Sequence, residues 1–167
     1  MRIGVLHPSQ RASLVDLLLE LSHYYDATGT LDADEVASHL DELLTAPASP
    51  ITLVTAQHPE GRVVGLAALV LLPSVVVAVG ARRMQCQLKE LFVSDSCRGD
   101  GVGEALLRWC AKFALDNECG RMDWNVKAGN AAGIRFYERH GAQIVGDRLS
   151  YRVAGETLSE LATSATS

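Results

Sequence analysis

The stretch Leu88–Leu107, LKELFVSDSCRGDGVGEALL, says most about the fold. A strand-like apolar run, Leu88–Val93, leads into a glycine-rich turn, Arg98–Gly103, and then into the apolar start of a helix. A helix start presents about four unpaired backbone N–H groups and a partial positive charge, and glycines let a ligand approach them closely. Arg98 adds a charged fork. The stretch therefore predicts an anion site.

Two common phosphate-binding patterns do not fit this turn. The Walker pattern needs a lysine and a hydroxyl after its last glycine, where Glu104 and Ala105 stand. The dinucleotide pattern needs a third glycine, where Leu106 stands. The short motif alone also leaves open a plain glycine turn between a strand and a helix.

A second segment makes the pattern more specific. Asp123–Val126 has the composition of a strand, and Asn130–Ala142, NAAGIRFYERHGA, follows it as a helix that Gly141 can end. Together the two segments resemble the GCN5-related N-acetyltransferase (GNAT) superfamily. The resemblance covers about Ile51–Gly146 and is closest to the diamine and polyamine acetyltransferase-like branch.

The resemblance implies acetyl-CoA as the cosubstrate and no metal ion. Tyr137 would serve the leaving thiolate as general acid. The backbone near Val93 would donate to the thioester oxygen, and Phe92 and Val93 would pair with the pantetheine amides as an added strand does. The residues implied to bind the cosubstrate are Phe92, Val93, Arg98, Gly99, Asp100, Gly101, Val102, Gly103, Asn130 and Phe136.

Simpler roles stay open for two of these residues. Asn130 and Tyr137 are spaced to share one helical face, which supports a role in a site. Asn130 can instead be a helix N-cap, and Tyr137 can be a core residue packed beside Phe136.

The general base is less well defined. In the diamine branch a glutamate stands at the position of Lys89, whereas this chain carries its carboxylate one residue later, at Glu90. In a regular strand Lys89 would then point at the acceptor and Glu90 away from it, and a β-bulge would reverse this. Glu90 is our catalytic candidate. The alternatives are a water chain or a side chain of the early helix (Tyr24, Tyr25 or Asp26). The simpler alternative for Glu90 is an exposed or salt-bridged strand residue.

The element order predicts an α/β (α+β) fold with a GNAT-like mixed, mostly antiparallel sheet and helices on both faces. Residues 1–155 are expected to form a single N-acetyltransferase-like domain, and residues 156–167 a partly disordered tail with a short amphipathic helix. The expected elements, in chain order, are strand Ile3–His7, a helix from Leu14 to Tyr25, a helix capped by Asp32 and Glu35, strands Ile51–Ala56, Val63–Leu72 and Cys86–Val93, helix Gly103–Asn117, strand Met122–Val126, helix Asn130–His140, and strands Ala142–Val145 and Leu149–Val153.

Composition limits the class of partner. The chain has 15 basic and 20 acidic residues and a net charge of -5, which gives no reason to expect nucleic acid as a partner. Val63–Val79 is apolar but is interrupted by Gly65 and Pro73, so buried strands explain it better than a membrane span. The 4 cysteines have no zinc-ligand spacing, and we expect free thiols and a cytoplasmic location.

The sequence thus predicts an enzyme that transfers an acetyl group from acetyl-CoA directly to a primary amine of a small molecule. The alternatives are an acetyl-CoA-binding regulator or sensor, a protein or peptide N-acetyltransferase, and a structural subunit with an emptied site. A homodimer is expected by resemblance, with the valine-rich segment Val75–Val79 pairing across it.

Overall fold

The computed structural model describes residues 1–25, 31–76, 79–80 and 83–163. The chain forms two compact units, Met1–Asn125 and Val126–Ser167. The helices and strands of the first unit are β1 (Arg2–Val5), α1 (Arg11–Tyr25), α2 (Ala33–His39), β2 (Ile51–Gln57), β3 (Val63–Pro73), β4 (Met84–Val93), α3 (Val102–Asp116) and β5 (Cys119–Asp123).

The strands of the described residues form one sheet in the order β1-β2-β3-β4-β5. The first four strands pair antiparallel, and β5 pairs parallel to β4. The parallel pair needs a crossover, and α3 provides it. The structure therefore confirms the predicted α/β fold with a mixed, mostly antiparallel sheet.

Helices cover both faces of this sheet. Leu66 and Ala68 of β3 and Phe92 of β4 pack with α1 and α2 in one buried apolar cluster. Gly65 lies on the opposite face, where a Cβ atom would meet the side chains of Leu106 and Val102 on α3. Successive residues of a strand point to opposite faces, so the near-continuous apolar sequence of β3 supplies both cores.

The predicted cap of the second helix is present. Asp32 Oδ1 accepts from the Glu35 backbone N–H at 2.8 Å, and the Asp32 N–H donates to Glu35 Oε2 at 3.0 Å. This reciprocal pair satisfies two N–H groups that a helix start otherwise leaves unpaired. The helix Gly103–Asn117 was also well predicted, since α3 runs from Val102 to Asp116.

The strand expected at Met122–Val126 lies earlier, at Cys119–Asp123. Cys119 is buried and aligns with Met84 of β4, whereas Val126 is exposed. Glu118 turns the chain into the strand with a positive φ of 57°. The prediction placed β5 too late because it followed apolar residues. An edge strand is only partly buried, so its polar residues hid its start.

The second unit contains α4 (Ala131–Arg139) and α5 (Gly155–Thr163), so the short helix expected in the tail is present. The strands predicted at Ala142–Val145 and Leu149–Val153 are wrong for the described residues, which form no strand there. Ile144 and Leu149 are 74% and 81% exposed. Apolar alternation forms a strand only where it pairs with a neighbouring strand, and these residues pair with no described strand.

No helix in the described ranges is long and apolar enough to cross a membrane. The apolar run that raised the question is mostly β3, which ends at Pro73.

Candidate active site

The glycine-rich turn leads from β4 into the first turn of α3. Gly99 and Gly101 adopt left-handed backbone angles, with φ of 91° and 77°, and Gly101 is the helix N-cap. Side chains disfavour such angles, and a Cβ at either position would extend into open space. The turn therefore leaves the backbone uncovered at the start of α3, which suits an approaching phosphate.

One edge of β4 is left open beside this turn. β5 pairs with β4 only from Met84 to Gln87, so no described strand pairs along that edge from Leu88 to Val93. The Ser94 N–H donates to Val64 O of β3 at 2.9 Å. Because backbone N–H and C=O directions alternate along a strand, those of Val93 point to the open edge, and those of Phe92 point towards β3. The Val93 N–H therefore points to the open edge, and its role as a donor to a ligand stays a prediction.

A β-bulge lies in β4 at Lys89, directly before the candidate base Glu90. Ala68 of β3 aligns with Glu90, but its neighbour Leu69 aligns with Leu88, so Lys89 is an extra residue without a partner. Glu90 lies on the face that Ala68 and Phe92 share with α1 and α2, as regular alternation from Phe92 requires, and the bulge shifts only the residues before it. Lys89 is exposed.

Glu90 contacts the end of α1 on that face. Its Oε2 accepts from the hydroxyl of Tyr25 at 2.9 Å, and its Oε1 accepts from the Leu91 N–H at 3.2 Å. The carboxylate is therefore held from both sides. Asp26, another candidate base, lies outside the described residues.

Arg98 folds back onto the strand. Its Nε donates to Val93 O at 3.1 Å, and its guanidinium pairs with Asp95. The guanidinium carbon lies 5.4 Å from the ring centre of Tyr24 and 5.5 Å from that of Phe92. A contact between Arg98 and a phosphate stays a prediction.

The predicted residues of the second unit lie on and before α4. The Asn130 side chain caps this helix by accepting from the Gly133 N–H at 2.9 Å, so the N-cap role is present. Phe136 and Tyr137 pack edge to face, with ring centres 5.1 Å apart. His140 Nδ1 lies 2.7 Å from Phe136 O and steadies the helix end. The roles of Asn130 and Tyr137 towards a cosubstrate stay predictions.

Two contacts beside the candidate site were not predicted from the sequence. Glu20 Oε1 accepts from the Asp95 N–H at 2.7 Å, which ties α1 to the turn after β4. Tyr24 lies under Arg98. Both residues come from an amphipathic helix far earlier in the chain, and the sequence carries no signal for such long-range pairs.

Three cysteines are buried together between α3 and the strands. Burial raises the pKa of Cys86 to about 11 and that of Cys110 to about 12, with smaller contributions from Cys119 and Cys86 respectively. Burial also raises the pKa of Cys119. These thiols are poor nucleophiles because the reactive form is the thiolate.

The described residues offer no metal-binding group, and one cavity lies away from the predicted site residues. No group of three or more His, Cys, Asp or Glu side chains in the described part of the chain could hold a metal ion. A cavity of about 290 Å³ lies at the opposite edge of the sheet, beside β1, and is lined by Arg2, His7 and Gln57 among others. It contains none of the predicted site residues.

The family model that matches the chain is described as the acetyltransferase (GNAT) family and covers residues 15–142. A thialysine N-epsilon-acetyltransferase from Mus musculus is 34% identical over 83 residues, which is 45% of this chain and 46% of that protein. An L-ornithine N5-acetyltransferase from Arabidopsis thaliana is 32% identical over 74 residues, 44% of this chain and 32% of that protein. The chain thus spans less than half the length of these curated relatives.

Solved structures share the architecture. An integron cassette protein from the mobile metagenome of V. cholerae has a TM-score of 0.87 at 27% identity, covering 98% of both chains. A ribosomal-protein-alanine N-acetyltransferase from Brucella melitensis has a TM-score of 0.73 at 22% identity, covering 93% of this chain and 100% of that one.

Proposed function

The chain belongs to the acetyltransferase (GNAT) family, and on that premise we propose that it transfers the acetyl group of acetyl-CoA to a primary amine of a small molecule. One observation carries the proposal: the glycine turn, the start of α3 and the open edge of β4 adjoin one another. An anion site next to an unpaired strand edge suits a ligand with a pyrophosphate and an amide-containing arm.

The proposed cosubstrate site follows from this geometry. The backbone from Gly99 to Gly103 would hold the pyrophosphate, and Val93 would pair with the pantetheine arm along the open edge. Phe92 would support the site from within the core, because its ring is buried against Tyr24 and its backbone faces β3. Asn130 and Phe136 are also proposed to contact the cosubstrate, by family resemblance alone.

Each proton in the reaction has a proposed carrier. The thioester supplies an activated acetyl group. A lysine-like amine has a pKa of about 10.4 and must lose a proton before it attacks. Glu90, which lies on the face of β4 covered by α1 and accepts a hydrogen bond from Tyr25, is the proposed base. Tyr137 is the proposed acid for the leaving thiolate, and the Val93 N–H the donor to the oxyanion.

Thiol release measured with a panel of diamines, amino acids and peptides tests this function. We expect a small amine to give turnover, and Glu90→Gln and Tyr137→Phe each to lower kcat by about 10²-fold. Tyr151→Phe is the matched control, since Tyr151 is 90% exposed. Turnover only with peptides would favour a protein N-acetyltransferase. Tight binding of acetyl-CoA without turnover would favour a sensor.

The acceptor is proposed to be a diamine or an amino acid with a side-chain amine. The relatives named for L-ornithine and thialysine acetylation support this class. The exposed Lys89 beside the site favours an acceptor that carries a carboxylate over one that carries only amines.

We also propose a cytoplasmic homodimer in which residues 1–155 act as one acetyltransferase domain. The family match runs across both compact units, and all 4 cysteines are free. Val75, Val76 and Val79 are 100%, 91% and 78% exposed, which is unusual for adjoining apolar side chains and suits a subunit contact. Val77 and Ala78 lie outside the described residues.

Sedimentation equilibrium tests the dimer. We expect Val75→Ser with Val76→Ser to shift the protein towards monomer, because both apolar side chains would leave the interface. Leu115→Ser is the control, since Leu115 is an exposed apolar residue on α3. A wild-type protein that sediments as a monomer at all concentrations would contradict the dimer.

A further inference from the structure

We propose that Arg98 is a positioning residue, which clamps the end of β4 to α1 and so fixes the Val93 backbone, and that it does not serve as a phosphate ligand. The inference rests on the proposed function, because it assigns the Arg98 side chain to the acetyl-transfer end of the cosubstrate site.

The guanidinium already has partners on the strand and the turn. Its Nε donates to Val93 O at 3.1 Å, and Asp95 pairs with its charge. A side chain whose charge is neutralised by a carboxylate has less attraction to offer a phosphate.

Two aromatic rings hold the same guanidinium. Tyr24 of α1 and Phe92 of β4 lie 5.4 and 5.5 Å from its carbon, and their own ring centres are 5.9 Å apart. A planar cation gains from contact with ring faces, and arginine stacks in this way better than lysine does. Arg98 therefore joins two elements that are far apart in sequence.

A second contact ties the same two regions. Glu20, one helical turn before Tyr24, accepts from the Asp95 N–H at 2.7 Å. Glu20 and Arg98 thus both meet Asp95, at its backbone and at its carboxylate respectively. The end of α1, which also carries the partner of Glu90, is fixed relative to the turn by this set.

The clamp acts on the peptide group that matters for transfer. The Val93–Ser94 peptide is held on one side by Ser94 N–H to Val64 O, at 2.9 Å, and on the other by Arg98 at Val93 O. With this peptide fixed, the preceding N–H, that of Val93, keeps its direction at the open edge. A hydrogen-bond donor that already points at the developing oxyanion stabilises the transition state without first having to reorient.

Steady-state kinetics and calorimetry of four variants test the proposal: Arg98→Lys, Arg98→Ala, Tyr24→Leu and the double variant Arg98→Lys/Tyr24→Leu. We expect both Arg98 variants to lower kcat about tenfold, the effect of losing one charge-assisted hydrogen bond. Lysine should be no better than alanine. The dissociation constant of CoA should stay within about twofold of wild type, with an unchanged salt dependence.

Tyr24→Leu should lower kcat by a similar factor, and the double variant should be no worse than the single ones, because both changes break one clamp. Arg11→Lys is the matched control, since Arg11 pairs with Asp41 on an exposed surface of α1. Its kcat should equal that of wild type.

A phosphate ligand would behave differently. CoA affinity would fall sharply in Arg98→Ala, recover in Arg98→Lys and lose part of its salt dependence, and the effect of Tyr24→Leu would add to it. That pattern would overturn the clamp.

The clamp can be tested even if the proposed acetyltransferase function is wrong. If no amine is acetylated, urea unfolding of the same variants still tests the clamp. Non-additive losses in Arg98→Lys and Tyr24→Leu would support it, and strictly additive losses would overturn it.

Discussion

Gly101 shows at the scale of a single residue how the site depends on backbone geometry. Its φ of 77° is in the left-handed region, and it ends the turn at the start of α3. The glycine-rich motif made this turn predictable, because glycine is the residue that tolerates such angles. The partners of Arg98 were not predictable, because Tyr24 is contributed by a distant helix whose pattern indicates only burial.

Gly101→Ala should lower the free energy of unfolding by about 1 kcal/mol and weaken CoA binding, because alanine strains at this angle. Urea unfolding and calorimetry measure the two effects. Gly4→Ala is the control: Gly4 also has open space around its Cβ position but lacks a positive φ. It should be neutral or slightly stabilising, and equal losses in the two variants would contradict the argument.

At the scale of elements, the bulge in β4 matters most. Alternation counted from Phe92 places Glu90 on the face of α1, whereas alternation counted from Leu88 would place Lys89 there, and the sequence alone left both registers open. The bulge at Lys89 reconciles the two, because Leu88 and Leu91 both reach the face covered by α3 while Glu90 stays on the face of Phe92. Helix bounds were predicted well from caps and periodicity, whereas register depends on packing between strands that no local pattern shows.

The contact between α3 and β3 gives a prediction at this scale. A Cβ at Gly65 would lie 2.9 Å from Leu106 Cδ1 and 3.1 Å from Val102 Cγ1, both buried. Gly65→Ala should therefore displace the start of α3, lower the free energy of unfolding by about 1–3 kcal/mol and weaken CoA binding.

Thermal unfolding and calorimetry check this change together. Ala67→Gly, on the same face of β3, is a control that removes packing without adding volume. It should lower stability and leave CoA affinity near that of wild type. Unchanged CoA affinity in Gly65→Ala would contradict the proposed link between helix position and the anion site.

At the scale of the whole molecule, the fold class and the sheet followed from the order of patterns along the chain. The last two strands did not, because apolar alternation alone does not fix strand pairing, and the residues of Ala142–Val153 pair with no described strand. Three of the four thiols are buried in the core between α3 and the sheet.

Thiol labelling reads out the integrity of this fold. In the native protein at pH 8 we expect Cys97 to react quickly with Ellman's reagent, and the three buried cysteines to react only as fast as the protein opens. Cys97→Ser should abolish the fast phase. Two or more fast thiols would show that the core is looser than described.

The same burial sets the sign of a pH effect. The pKa of Cys86 is raised from 9.0 to about 11, so the unfolded state loses this proton first as the pH rises. Stability from this group is fully present below pH 9 and is lost on approaching pH 11. Urea unfolding at pH 8 and pH 10 should show the decrease, and Cys86→Ala should reduce it.

The open edge of β4 has a consequence for solubility. Unpaired backbone groups along a strand are a template on which another chain can add a strand, and proteins normally shield such edges. Beyond Gln87, no described strand provides this cover. A cosubstrate paired along this edge would cover these backbone groups and so oppose aggregation. At low acetyl-CoA concentration the protein would then lose solubility as well as turnover.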